Sequence, residues 1–175
     1  MKTRLSYEAS CLKLQPDYLD SGAVPPIPDH LPQFDDEGEL GFSFFRMMVE
    51  EGNFSNLTLP RTFFGKSELK NSTFQNTDLS ESNLTWNDFI GVDFSFSILA
   101  RSDLRAALFF ETKFISTDLS GSDLRQSSFD SCDFTNAKMK DAILTAAQGK
   151  KLPLSEQQRS EISWASDDGP EPGGG

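Results

Sequence analysis

The chain has 175 residues, which suits one domain with appendages. Its 16 basic and 27 acidic side chains leave a formal charge of −11, which opposes direct binding to nucleic acid phosphates. No stretch approaches the roughly 18 apolar residues of a membrane span. The opening MKTRLSYEAS lacks the apolar core of a secretory signal, and Cys11 and Cys132 are too few for a disulfide framework. The expectation is a soluble, cytoplasmic, acidic protein with no membrane partner. The aromatic set is skewed, with 16 Phe against 2 Tyr and 2 Trp. That skew suggests a structural slot that wants Phe again and again.

Residues 1–50 have no regular pattern. Gln15 to Pro32 carries Pro16, Pro25, Pro26, Pro28 and Pro32 and reads as turn and extended chain. Asp35, Asp36, Glu37 and Glu39 form an acidic run, and FSFFRMMV at 42–49 is apolar enough to close the start of whatever follows. The segment reads as an irregular, acidic, Pro-rich N-terminal cap.

Residues 51–146 are a repeat. Stepping by five from Phe54 meets an apolar centre every time, through Phe74, Phe94, Leu104, Phe114 and Phe134 to Leu144, nineteen in succession. At 37% apolar content, chance would give such a run about once in 10⁸ trials. Two before the centre sits a small residue, as at Ser67, Ser72, Thr77, Ser82, Ser102 and Cys132, and just before it Asp or Asn recurs, as at Asp78, Asn83, Asp93, Asp103, Asp118 and Asp123. Neither helix nor strand has a period of five. A chain that turns a corner every five residues does.

The stretches TDLSESNLTWNDF, RSDLRAALF and TDLSGSDLRQSSFDSCDFTNAKM resemble pentapeptide-repeat proteins, whose consensus is Ala-(Asp/Asn)-Leu-x-x. The resemblance covers about residues 52–146 and implies an all-β fold, a right-handed quadrilateral β-helix with four pentapeptides per coil. Nineteen repeats would make about 4.75 coils, a solenoid roughly 23 Å long at about 4.8 Å per coil. Centres twenty residues apart should then stack on one side. Phe54, Phe74, Phe94, Phe114 and Phe134 form one such set, and Leu59, Leu79, Leu99, Leu119 and Met139 another. Phe would largely face Leu across the interior, which keeps the cross-section filled.

After Leu144 the repeat fails at TAAQGKK. In 147–166, Ser155 followed three later by Gln158 fits a capping box, and Leu154, Ile162 and Trp164 can press a short C-terminal capping helix onto the last coil. Residues 167–175 have the composition of a disordered tail.

Catalytic chemistry finds no footing in these residues. His30 is the single histidine, in a Pro-rich loop, and one histidine with two distant cysteines cannot make a zinc site. No phosphate loop or nucleophile elbow occurs, and no cofactor is implied. Cys132 occupies a small inward slot. The repeated Asp residues suit local turn bonds to the backbone rather than acid–base work.

The outward positions carry what remains. Several are apolar: Ile90, Leu108 and Phe110 on one side with Trp86 at its leading corner, and Phe96, Ile98 and Ile115 near a different corner. Exposed apolar clusters mark interaction surfaces, and Trp and Phe are efficient anchors. Asp103 with Arg105 and Asp123 with Arg125 form a small ladder of alternating charge. The resemblance implies two kinds of partner. Members linked to quinolone resistance are long acidic rods that mimic duplex DNA, bind DNA gyrase or topoisomerase, and dimerise through their C-terminal ends. Small acidic members serve as immunity or antitoxin proteins. Here residues 51–145 hold 9 basic and 13 acidic side chains, so the acid is concentrated outside the rod, and aromatics interrupt its middle. The reading favoured is a non-enzymatic protein-binding module that masks a toxin by occlusion. Trp86, Phe96 and Phe110 would be the anchors, with Asp35, Asp36, Glu37 and Glu39 steering a basic partner. A gyrase-binding DNA mimic and a plain interaction scaffold are the alternatives.

Overall fold

The computed structural model describes residues 3–18, 23–33 and 41–167. Five short parallel strands, β1 (Met48–Glu50), β2 (Glu68–Lys70), β3 (Asp88–Ile90), β4 (Leu108–Phe110) and β5 (Ser128–Asp130), stack in chain order on one side of a square coil. Each residue pairs with the one twenty positions on: Val49 with Leu69, Leu69 with Phe89, Phe89 with Phe109, Phe109 with Phe129. The other three sides keep the same spacing through single bridges, such as Thr73 to Asp93, Asp78 to Ile98 and Asn83 to Asp103. Four pentapeptides therefore make one coil. The regular coil begins before residue 51, because Phe44 and Val49 are buried centres in the same register as Phe54.

The corners show how a chain of ordinary residues can turn so often. Every fifth residue from Gly41 to Asp141 has a positive φ, between 48° and 69°. This is the left-handed region, which costs an L-residue roughly 1–2 kcal/mol. Hydrogen bonds between coils hold it in place. The Asp or Asn before each centre accepts a bond from the N–H two residues on, as Asp78 does from Ser80 at 3.0 Å and Asp93 from Ser95 at 2.9 Å. The small slot behaves as a rung. The Ser102 hydroxyl accepts from the Ser82 N–H one coil below at 3.2 Å and donates to the Leu79 carbonyl at 2.9 Å. Buried backbone groups at the inner corner are thereby satisfied, which a buried loop otherwise cannot manage. At Asn87 an amide fills the slot, accepting from Ser67 N–H and donating to the Phe64 carbonyl, both at 2.8 Å.

From Leu84 onward the interior is two adjoining Phe columns and two adjoining Leu columns, while Phe44 and Phe64 stack at 4.4 Å at the start of one Leu column and Val49 and Leu69 begin one Phe column. Phe74, Phe94, Phe114 and Phe134 stack at 5.1, 5.6 and 4.9 Å, and Phe89, Phe109 and Phe129 at 5.1 Å. Where the columns meet at the shared corner the rings are edge to face, as for Phe89 with Phe94 at 5.3 Å and Phe109 with Phe114 at 5.2 Å. Such pairs add about 0.5–1.5 kcal/mol beyond area burial.

The flanks are more structured than their composition suggests. Tyr7–Tyr18 is a helix, α1, so turn and extended chain is not the conformation of Gln15 to Tyr18. Ser6 caps it, accepting from Ala9 N–H at 3.2 Å, and it buries Ser10, Cys11 and Leu14 under the first coil. Ser10 Oγ accepts from Thr58 N–H at 2.9 Å, so a side chain of α1 satisfies a donor of the coil. At the other end α2 (Ala146–Lys151) and α3 (Glu156–Glu161) are joined to a strand, β7 (Ser163–Ala165), which pairs with β6 (Ile143–Thr145) at the same twenty-residue spacing. The C-terminal segment is thus two short helices and a strand rather than one helix. Leu152, Leu154 and Ile162 are buried against the last coil, while Trp164 stays exposed.

Candidate protein-docking face

The interior uses up the chemistry of the centres and the small slots, so recognition rests on the outer skin. The Leu69 side, built from β1 to β5, is a flat sheet whose outward positions are the residues flanking each centre. Register brings Ile90 directly opposite Phe110 and Asp88 opposite Leu108. Leu108 and Phe110 are exposed and Ile90 is half-buried. Trp86 sits at the corner leading into β3, 54% exposed, its N–H donating to the Arg105 carbonyl at 3.2 Å. These four therefore share one surface, and three of them project into solvent.

Phe96, Ile98 and Ile115 lie elsewhere. Phe96 is the corner after the Phe94 centre, and its N–H donates to the Ile115 carbonyl at 2.9 Å. Ile98 bridges between Asp78 and Asp118 on the next side, half-buried like Ile115. This corner is diagonal to that of Trp86, so one flat partner cannot cover both groups.

Trp86 and Phe96 are also the two aromatic residues among the left-handed corners, with φ of 59° and 62°. Bulky side chains are genuine outliers there. The other corners are Gly, Asn, Ser, Gln, Ala or charged residues.

The Leu69 side is edged by charge of both signs, with Arg46 and Lys66 exposed below Trp86 in its corner column and acids gathered around Leu108 and Phe110. Glu50, Asp88, Glu111 and Asp130 are exposed on or beside it, and Glu68 is paired with Lys70 at 2.7 Å. The sequence reading did not single these acids out. Their signal is spacing, since Asp88 and Asp130 stand in strand register with Leu108 and Phe110. Asp35, Asp36, Glu37 and Glu39 lie outside the described residues. The chain leading towards them is anchored by the Pro32 carbonyl, which accepts from Asn83 Nδ2 at 2.9 Å, three residues before Trp86.

The remaining sequence candidates are structural in their contacts. Arg105 binds Asp103 at 2.6 Å and Arg125 binds Asp123 at 2.6 Å, with Arg105 reaching Asp123 at 3.8 Å, the expected ladder. Asp103 is buried and its partners half-buried, yet the arginines keep their heads near solvent, where such pairs contribute about 0–1 kcal/mol each. Cys132 is buried and donates to the Phe109 carbonyl at 3.4 Å, and burial pushes its thiol up, as it does that of Cys11. His30 is exposed. Among the described residues no group of three or more His, Cys, Asp and Glu could hold a metal ion, and no helix is long and apolar enough to cross a membrane.

The family model for pentapeptide repeats matches residues 53–85, 88–126 and 107–145, with eight copies. Among solved structures, the chain is similar to the pentapeptide repeat protein Rfr23 of the cyanobacterium Cyanothece 51142 at 14% identity, covering 55% of this chain and 82% of that one with a TM-score of 0.46. It is similar to a pentapeptide repeat protein of the Arabidopsis thaliana thylakoid lumen at 21% identity, covering 68% and 69% with a TM-score of 0.38. It is also similar to QnrB1, a plasmid-mediated fluoroquinolone resistance protein, at 24% identity, covering 59% of this chain and 53% of that one with a TM-score of 0.39. No curated protein matches. The unbroken period of five, the twenty-residue register and the family match over more than half of its length agree: the chain belongs to the pentapeptide-repeat family.

Proposed function

We propose that the chain is a non-enzymatic binding module that occludes a basic protein partner, and that this partner is a toxin held neutral by the complex. The observation that carries the reading is the Leu69 side, where Trp86, Leu108 and Phe110 are exposed together and the acids Asp88, Glu111 and Asp130 stand exposed beside Leu108 and Phe110. Apolar anchors supply affinity once desolvated, and the acids supply steering and exclude acidic competitors. Partner loss would then come from burial of its working surface, with no bond made or broken.

The test is binding to the product of the neighbouring gene. Trp86→Ser with Phe110→Ser should abolish the complex while circular dichroism and the melting transition of the rod persist. Retained binding would dismiss this face. Inhibition or protection of purified gyrase by micromolar protein would instead move the assignment to a DNA mimic.

A further inference from the structure

The Phe96 corner differs from the Leu69 side in charge. Its corner column, one residue per coil, runs Asn56, Asn76, Phe96, Ser116, Asn136. The column just before it runs Ser, Gln, Ser, Ile, Thr from Ser55 to Thr135. Neither contains a formal charge, in a chain that carries −11. The other three corners each carry at least two charged residues: Arg46 and Lys66, Glu51 and Glu111, or Arg61 and Glu81.

An uncharged ridge with an exposed Phe at its middle suits one occupant in particular. In a two-fold contact each residue meets its own image or a near neighbour of it, so a charged ridge would set like against like. Over most of its surface this acidic chain repels a copy of itself. Along this ridge it does not. The lower end is already in use: Leu5 N–H donates to the Asn56 carbonyl at 2.9 Å, and Arg4 Nε to the Asn76 carbonyl at 3.0 Å. Among the described residues the N-terminal arm stops there, one coil below Phe96, which remains 43% exposed. The left-handed φ of Phe96 is a second, independent mark, because Asn, its neighbour in the column, would occupy that conformation with less strain.

We infer that the ridge from Phe96 to Asn136 is a self-association surface, through which two copies pack side by side with Phe96 and Ile115 at the two-fold axis. This is a different surface from the Leu69 side and does not depend on the partner proposed there. The contact is narrow, below the size of a standard interface, so the dimer is weak and forms at about 10–100 µM.

Sedimentation of the full chain across that range tests it. The expected result is a monomer–dimer equilibrium only weakly dependent on salt, since the ridge itself is uncharged and the residues flanking it, Asp93, Lys113 and Asp133 on one side and the Asp118–Lys138 pair on the other, carry both signs. Phe96→Asn together with Ile115→Thr should shift it to monomer. Ser116→Asp, a substitution at a half-buried corner whose side chain lies outside the core, should weaken the dimer at least tenfold by facing each charge with its image. Trp86→Ser should leave the dimer intact, which separates this surface from the docking face. A wild-type chain that stays monomeric at about 100 µM, or a dimer that survives both the Phe96 and the Ser116 changes, overturns the inference.

Discussion

Gln148 and Gln158 make the same four hydrogen bonds on opposite sides of the last coil. Each closes a capping box, Gln148 with Thr145 and Gln158 with Ser155. Each then turns its Nε2 inward to two coil carbonyls: Leu124 and Ser127 at 2.9 and 2.8 Å, Phe134 and Ala137 at 2.8 and 3.0 Å. The Leu124 and Phe134 carbonyls lie where a hydroxyl rung from the next coil would bond, and those of Ser127 and Ala137 where its backbone N–H would. The glutamines stand in for a coil that is not there, and so end the solenoid without orphaned acceptors.

Gln158→Ala therefore removes a buried donor and leaves two carbonyls without it. The expected cost is about 1–3 kcal/mol. Gln148 lies across the coil and shares no partner with it, so the double variant should be close to additive. Urea unfolding of the three variants measures this, and amide exchange should show the loss concentrated in the coil containing Leu124 and Phe134. Uniform loss along the rod would mean that the glutamines do not act as end caps.

The Phe columns give the converse test. Phe94 is fully buried and touches Phe74 and Phe114 along its column and Phe89 at the corner. Phe94→Ala should cost about 3–5 kcal/mol. Leu99, in a column without aromatic neighbours, should cost less on truncation to Ala, about 2–4 kcal/mol. Denaturant midpoints for the two variants rank them, and equal losses would argue that the ring contacts add nothing beyond burial.

The period of five and the sorting by twenty are legible because large side chains must point inward at every centre and stack on their own kind. Other features leave fainter traces. Tyr7, Ser10, Cys11 and Leu14 have helical spacing, yet a serine and a cysteine do not advertise a buried face, and the following prolines suggest extended chain. Thr145 and Gln148 carry the same capping signature as Ser155 and Gln158, but it falls where the repeat breaks and is masked by that break. The pairing of Ile143 with Ser163 keeps the twenty-residue register across two helices that hide it. Left-handed corners are the least legible of all, because Arg46, Glu81 and Trp86 take the same backbone as Gly91 under the tension of the coil rather than by preference. For the candidate face, exposed apolar residues are visible in the register alone, whereas the acids beside them emerge only once strands are laid side by side.

Acid should weaken the rod. Hydrogen bonds from Arg101 and then Arg61 hold the Glu81 carboxyl below the usual carboxylate range, and the Thr135 hydroxyl and N–H do the same for Asp133. A carboxyl lowered in the folded state binds fewer protons there than when unfolded, so stability rises with pH across that interval. The contribution is complete above the unfolded value near 4 and is lost as pH falls below it. Urea midpoints should therefore drop from pH 6 to pH 3. Glu81→Gln should lower the midpoint at neutral pH by the equivalent of about 0.5–1 kcal/mol and flatten the pH slope. An unchanged slope in that variant would place the acid sensitivity elsewhere.

The corner rule makes a prediction opposite to ordinary experience with glycine. Ala106 stands at a left-handed corner with φ of 54°, directly above Trp86 in its column. Its side chain is a single methyl, so replacing it with glycine sacrifices little packing. Glycine loses about 0.5–1 kcal/mol more backbone entropy than alanine on folding, but is spared the roughly 1–2 kcal/mol that the conformation costs an L-residue. Ala106→Gly should thus stabilise the rod by about 0.5–1 kcal/mol, raising Tm by about 2–4 °C. Gly121, with φ of 66° and only the Arg101 Cγ within 3.4 Å of an added Cβ, is the matched reverse: Gly121→Ala should lower stability by a similar amount through backbone strain alone. Thermal melts of both decide the matter. If neither moves, the coil imposes no cost at its corners, and Trp86 stands at its corner without backbone strain. If both move as expected, Trp86→Gly should be more stable than Trp86→Ala by the same margin, while both lose the partner equally.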